Sequence, residues 1–542
     1  MVAGNSDWRA RVAQGCAFAL LLVAPFEPRF TIPFGLFRVS LVEAVGLGGV
    51  VLLFATSAAS SARSPRARPL LALGLMVLVS LVSASLAIPD PGRALKFAFR
   101  LGMMTAVAAL VARLSEGQIR WGFMALALSG SCAAVLAALE GAGVRSLDWF
   151  LGAFREIPFN VAGVRRASAG SEYPNLGAAM IVYAMLSGIT LLRSRTYLRA
   201  LFAALLATGL AFTYSRGAWI AGLAGLCVLT WFERGWPRFV PATVYLGVLG
   251  LFVGREEISQ IRFGGENAND FYAALYQAPS HLAMDERAET LVPVTVRNVG
   301  RRPWRKSEEI HLSYHLYQGG GRPLVDGPRT DLPRDVLPGE SVSMDAVLQA
   351  PASPGEYLLM FDLVHEDTTW FSGQGVKPGL VRLLVGTSAT TPRPVSEVEA
   401  LRAIPDTLAW RPSRLELWSL AARMWVANPF FGVGPDNYRW TYGTLSGRAV
   451  SDTRIFANNM YLEFAATLGT FGLAALCAAL AFAVKSGFQA APRSDAALVA
   501  LSILVVMMVH GLADYLLAFT GHYLIFGFVI GVLSSPPPAK PF

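Results

Sequence analysis

The stretch 458–484, NNMYLEFAATLGTFGLAALCAALAFAV, decides the fold. A helix needs about 20 mostly apolar residues to cross the hydrocarbon core of a bilayer, and this run supplies them. Working outward, similar runs recur from one end of the chain to the other. They give twelve candidate spans, at 10–27, 38–58, 69–88, 95–113, 120–140, 173–193, 198–214, 217–234, 238–254, 458–484, 495–515 and 519–535. Of the 542 residues, 54% are hydrophobic and only 15% charged, against about 25% charged in a soluble domain. A soluble protein could not hide that much apolar surface. The first run lacks a small-residue cleavage site and is followed by more spans, so it reads as a retained helix. The fold class expected is an all-α polytopic membrane protein of about 12 transmembrane helices, carrying an inserted extracytoplasmic β-sandwich domain.

The net charge of +9 does not point to nucleic acid, because the arginines sit largely in short loops between apolar runs. Arg9 and Arg11 precede the first span. Arg63, Arg66 and Arg68 lie between the second and third, and Arg193, Arg195 and Arg199 between the sixth and seventh. Arg234 and Arg238 follow the eighth, and Lys485 and Arg493 follow the tenth. All fall on one side if both termini are cytoplasmic. The opposite side then carries 141–172, the turn Tyr214–Arg216 and everything from 255 to 457. Cys16, Cys132, Cys227 and Cys477 all fall inside apolar spans and read as small buried hydrophobes, with no disulfide or metal spacing.

The segment 255–457 is too polar to cross a membrane. Within it ETLVPVTVRNVG, EIHLSYHLYQ, SVSMDAVLQAP and GEYLLMFDLVHED alternate apolar and polar residues between Gly, Pro, Asn and Asp clusters. Short strands so spaced predict an all-β sandwich at 278–387, after a connecting segment at 255–277. RNVGRRPW, LPGESV, SPGEYLL and WFSGQG resemble a tryptophan-rich immunoglobulin-like module. TSATTPRPVS at 387–396 reads as a linker, and 397–457 returns to helical patterns. The domain order expected is 1–254 membrane helices, 278–387 β module, 388–457 linker and helical catalytic loop, and 458–542 membrane helices.

Three blocks carry chemistry. VRRASAGSEYPNLGAAM places Arg165, Arg166, Pro174 and Asn175 at the outer mouth of the sixth span. TYSRGAWIAG places Arg216 at the outer end of the eighth. RLELWSLAARMWVANPFFGVGPDNYRW, with FANNMYLEFAATLGTFGL, holds Arg414, Arg423, Gly432, Gly434, Asn437, Asn458 and Asn459. From 411 to 457 there are six arginines against three acids. A guanidinium binds phosphate in a forked geometry. An arginine near hydrocarbon costs about 2.5–3.5 kcal/mol, so it has a partner or a task. A lipid diphosphate head group is such a partner, and fixed positive charge would also stabilise a departing diphosphate. The alternative is that these arginines snorkel or pair with loop acids. The glycines of GVGPDN fit a turn after a helix.

These blocks resemble the O-antigen ligase and lipid-linked polysaccharide polymerase superfamily. The shared pattern is an Arg…Gly…Pro-Asn element (Arg166, Gly170, Pro174, Asn175) and a Ser-Arg-Gly turn (Ser215, Arg216, Gly217). An Arg-x-x-x-Trp helix leads to Pro-x-x-Gly-x-Gly (Arg414, Trp418, Pro429, Gly432, Gly434), and a final element opens a span (Asn459, Tyr461, Leu462). The resemblance implies an inverting glycosyl transfer at the periplasmic side of the bacterial cytoplasmic (inner) membrane. It implies an undecaprenyl-diphosphate-linked glycan donor, a glycan or lipid acceptor, membrane lipids as surroundings, and neither metal nor cofactor. Arg166, Arg216, Arg414 and Arg423 would bind the diphosphate. Where ligases of this family carry histidine, this chain has Asn458, which can hydrogen-bond but not take a proton at neutral pH. MVHGLADYLL offers a substitute: His510 and Asp514 at i and i+4 on one helix face, either a catalytic pair or a structural one that locks two helices.

Other signals are weaker. His311 and His315 make a poor metal site. Trp304, Trp370 and Phe371 suit a sandwich core. Glu256 and Glu257 lack a glycosidase-like partner. Two further functions compete with the transferase: a lipid-linked glycan flippase or transporter, which would carry charge on both sides of the membrane, and a non-catalytic scaffold of a polysaccharide export system.

Overall fold

The computed structural model describes residues 4–34, 37–57, 66–87, 91–155, 159–161, 164–253, 255, 271–318, 324–366, 369–372, 376–386, 414–446 and 454–535. The expected linker at 387–396, the stretch 397–413, most of the connecting segment, and Arg63, Glu256, Glu257, Arg411, Arg448 and Asp452 lie outside the described residues.

The chain is mostly helical, with a separate β-rich region. Each of the twelve predicted intervals contains a helix: α1 (Gly4–Val23), α2 (Leu41–Ser57), α3 (Ala67–Leu86), α4 (Pro91–Val111), α5 (Glu116–Gly141), then after the short α6 (Asp148–Leu151) α7 (Pro174–Leu191), α8 (Thr196–Phe212), α9 (Arg216–Phe232) and α10 (Val240–Val253). Beyond the β-rich region come α11 (Arg414–Ala427), α12 (Tyr438–Leu445), α13 (Met460–Ala490), α14 (Asp495–His510) and α15 (Thr520–Ser534). Among the described residues six helices, at 67–86, 92–111, 116–141, 174–191, 236–253 and 460–493, are long and apolar enough to cross a membrane. Six more, at 11–23, 41–55, 196–212, 216–232, 495–510 and 520–534, are apolar but only 10–17 residues long. This is a multi-pass membrane protein. α15 is buried at every position and α7 at nearly every one, and helices apolar all round belong at the centre of a bundle. Of the cysteines only Cys16 is buried; Cys132, Cys227 and Cys477 are free and exposed on the outer faces of their helices.

Two features of the bundle correct the linear reading. α14 stops at His510, so Asp514 lies in the non-helical connection that follows and not on the same helix face. α13 is broken at Gly469, whose φ of 68° is left-handed. The break frees backbone carbonyls, and in a membrane these need partners. The loop after α11 supplies them. Val433 N–H donates to Ala466 O at 2.9 Å and Gly434 N–H to Thr467 O at 3.1 Å. In return Thr470 N–H donates to Pro429 O at 2.7 Å. Gly432 has φ 68°, and a β-carbon there would lie 2.3 Å from the Thr467 carbonyl carbon. The Pro-x-x-Gly-x-Gly element is therefore a backbone splice that docks a loop into a broken helix. The Ser83 hydroxyl donates to Phe431 O and Thr467 O from α3, closing the joint.

The β-rich region begins earlier than predicted, with a strand at Ala274–Gln277. Phe271 and Tyr272 enter its core, and the adjacent alanines of FYAALYQ hide the alternation. Strands Ala274–Gln277, Glu289–Asn298 and Ser341–Gln349 form one sheet. Ile310–Tyr317, Gly355–His365 and Gly379–Val385 are central to a second. Val294, Val296, Met344 and Leu348 from the first sheet share one core with Tyr314, Leu359, Phe361 and Leu383 from the second. Trp304 and Phe371 are buried in it with rings 5.4 Å apart. His311 and His315 are tied to Asp331 and Asp326 at 2.8 and 2.6 Å, and no metal-ligating cluster occurs among the described residues.

Candidate functional site

Arg165 and Arg166 are adjacent on a short strand, Val164–Arg166, paired with Phe159–Val161. Neighbours on a strand point to opposite faces, and these two arginines have opposite fates. Arg165 turns to Asp148, donating to Oδ2 at 3.1 Å, and to Glu140 at 3.3 Å. The Arg165 hydrogen bond in particular holds the Asp148 carboxyl below its ordinary range. Arg155 joins the same cluster through Glu140 and Ser168. Arg166 turns the other way. Its Nε donates to Thr213 O and its Nη2 to Asn175 Oδ1, both at 2.9 Å. The Phe159 ring stands opposite, 5.5 Å from the guanidinium.

The Thr213 contact joins the first motif to the second. Ala167 N–H also donates to Phe212 O at 3.0 Å, so the strand is stitched to the turn that starts α9. That turn puts Arg216 at the first position of α9 and packs Gly217 on the His510 ring, where an added methyl would sit 3.2 Å from Cδ2. On the far side, Pro174 occupies the first turn of α7, where its missing N–H costs nothing. Asn175 follows it, and its Nδ2 donates to Asp514 Oδ2 at 2.7 Å. Arg166, Asn175 and Asp514 thus form one hydrogen-bonded chain.

The third motif arrives through α13. Asn459 is its N-cap: Oδ1 accepts from Tyr461 and Leu462 N–H, each at 3.0 Å, while Nδ2 donates to Leu512 O at 2.9 Å. Tyr461 Oη donates to Met508 O at 3.1 Å. The Asn-x-Tyr-Leu element therefore fixes the start of α13 against the end of α14. Asn458 precedes it, half-buried, with φ of 49°. Asparagine and histidine are among the side chains that tolerate this left-handed backbone. Arg414 is exposed on α11, whose Leu417 carbonyl accepts from Tyr438 Oη at 2.9 Å.

Arg166, Arg216 and Arg414 meet here. Burial, reinforced by the charges of Arg216 and then Arg414, pushes the Arg166 guanidinium down to about 10, with Asp514 opposing. Asp514 and Arg414 are also the charged neighbours of His510, which is buried with Nδ1 making no hydrogen bond to a described residue. Arg423 does not join them. It is exposed nine residues along α11, about 13.5 Å up the axis and half a turn round from Arg414. Sequence reasoning missed two polar side chains at the same end of the bundle. His522 neighbours His510, is fully buried, and stacks edge-on against Tyr183 at 5.8 Å. A second histidine twelve residues after His510, inside another span, was the available signal.

The bundle of apolar helices defines a multi-pass membrane protein. Residues 397–477 match the family model described as O-Antigen ligase, and this match supports the O-antigen ligase superfamily. The matched stretch takes in α11, the splice at Gly469 and the Asn459 cap. No curated protein matches the chain. Among solved structures, the Pseudomonas fluorescens alkylpurine DNA glycosylase AlkC bound to DNA containing an abasic site analog aligns with 59% of this chain and 98% of its own at 8% identity. Its TM-score is 0.15, and it carries no argument.

Proposed function

We propose that this chain transfers a glycan from undecaprenyl diphosphate to a glycan or lipid acceptor at the extracytoplasmic face of a bacterial inner membrane. The observation that carries the reading is the meeting of Arg166, Arg216 and Arg414 beside His510 and Asp514 at one end of the bundle. On this reading all twelve apolar helices span the membrane, and the β-rich region is an immunoglobulin-like module on the same side as the site.

The three guanidiniums hold the diphosphate. As the acceptor oxygen bonds to the anomeric carbon, the bond from that carbon to the diphosphate oxygen breaks, and its electron pair leaves with the lipid diphosphate. Fixed donors aimed at developing charge are worth about 100- to 1000-fold in rate each. His510 takes the acceptor hydroxyl proton, and Asp514 stabilises the imidazolium. Asn458 orients the acceptor by hydrogen bonding.

The test is transfer by purified full-length protein from a lipid-diphosphate-linked glycan. Arg414→Ala lowers transfer at least about 100-fold while the protein stays in the membrane. Arg414→Lys also fails, because an ammonium cannot make the forked contact. Arg423→Ala stays within about twofold of wild type, as expected of an exposed charge outside the cluster. Wild-type transfer by Arg414→Ala overturns the proposal.

A further inference from the structure

A second polar cavity lies at the opposite end of the bundle. His510 closes α14 beside the arginines, and Asp495 opens it, fifteen residues and about 22 Å away along the axis. There the starts of α5 and α14 and the end of α7 enclose about 370 Å³. The rim is tied by Ser494 Oγ donating to Glu116 Oε1 at 2.8 Å and by an Arg193–Asp495 ion pair. Phe123, Leu191 and Val499 form an apolar inner wall, and Arg120 stands at the mouth. Arg120 makes no ion pair or hydrogen bond with another described residue.

The charges sort themselves. Arg193 and Asp495 neutralise each other. Glu116 accepts one hydroxyl hydrogen bond and keeps lone pairs to spare, and Arg120 keeps all its donors. What remains is one cation and one anion four residues apart on α5, above an apolar wall. The cavity sits where apolar helices end, which is where lipid head groups lie. A ligand that satisfies both charges carries a phosphate and an N–H-bearing ammonium on an apolar tail.

We propose that this cavity is a binding site for a phosphatidylethanolamine-type phospholipid. Its phosphate is held by Arg120, its ammonium donates to Glu116, and its acyl chains lie along Phe123, Leu191 and Val499. Phosphatidylcholine has no N–H to donate, and phosphatidylglycerol has no cation. Both bind more weakly.

Native mass spectrometry of the full-length detergent-solubilised protein, titrated with each of the three lipids at matched acyl chains, tests this. Phosphatidylethanolamine is retained about tenfold better than the other two, the ratio expected from one charge-assisted hydrogen bond. Arg120→Ala weakens all three lipids, which share the phosphate. Glu116→Gln removes only the preference for phosphatidylethanolamine and is the conservative variant that keeps the fold. Equal retention of the three lipids by wild type, stronger retention of phosphatidylglycerol, or an unchanged preference in Glu116→Gln overturns the proposal.

Discussion

Asn175 is the one uncharged residue in the chain from Arg166 to Asp514, and its replacement tests the site most sharply. Its Oδ1 accepts a hydrogen bond from Arg166 at 2.9 Å and its Nδ2 donates one to Asp514 at 2.7 Å. An amide can serve a cation and an anion at once because it carries both an acceptor and a donor. Hydrogen bonds to charged groups are worth about 1.5–3 kcal/mol each. Asn175→Ala deletes two. If Arg166 and Asp514 recover half the loss through water or each other, about 1.5–3 kcal/mol remains, roughly 10- to 100-fold in rate at 1.36 kcal/mol per decade. Asn175→Asp keeps the shape and the Arg166 contact but sets two carboxylates side by side, and one must hold a proton to replace the lost donor. Transfer by Asn175→Asp therefore falls about 100-fold at pH 8 and recovers as pH drops, because acid restores the missing hydrogen. The assay is transfer from a lipid-diphosphate-linked glycan in detergent between pH 5.5 and 8. A folded Asn175→Ala protein that transfers within threefold of wild type, or an Asn175→Asp profile parallel to wild type, refutes the reasoning.

Gly469→Ala reverses the usual sign of such a change: in an unbroken helix it would add about 1 kcal/mol of stability. Here the added carbon would lie 2.3 Å from the Phe430 carbonyl at φ 68°, a backbone that alone costs about 1–2 kcal/mol, so thermal unfolding in detergent occurs at lower temperature. In the β-rich region, burial lowers His365 to about 4 and raises Asp362 to about 6. The histidine contributes stability that is full above pH 6.5 and lost as pH falls to 4. The carboxyl contributes stability that is lost as pH rises from 4 to 6. Wild type is therefore nearly flat across this window, while Asp362→Asn exposes a loss of roughly 3 kcal/mol toward acid, read as increased proteolysis within 271–386.

The helices were legible because hydropathy needs no partner. Every apolar interval yielded one, displaced by a few residues at its ends. What composition could not reveal were the places where backbone geometry depends on distant chain. The break at Gly469 sits inside an unremarkable apolar run, and its donors, Val433 and Gly434, lie some 30 residues upstream. The end of α14 at His510 was marked only by Gly511, and the i, i+4 spacing to Asp514 misled because four residues are neighbours on a helix and not past its end. Arg165 and Arg166 are identical in type and adjacent. Only the strand's alternation, and the position of Asp148 and Glu140, separates a structural arginine from one facing the site.

The placement of the charges explains why the motifs are short and scattered. Arg216 is the first residue of α9, Asn175 lies in the first turn of α7, and Asn459 caps α13. A helix N-terminus already carries about half a positive charge, and acids, not arginines, normally stabilise it. Arg216 at such a position is unfavourable for folding. Burial first, and then the charges of Arg216 and Arg414, lower the affinity of the neighbouring Arg166 for a proton, with Asp514 opposing. Converging N-termini with added guanidiniums favour an anion over water. The Pro174–Asn175, Ser215–Arg216 and Asn459 motifs are thus starts of helices, while Arg166 stands on a strand and the Pro429–Gly434 element is the loop that docks into broken α13.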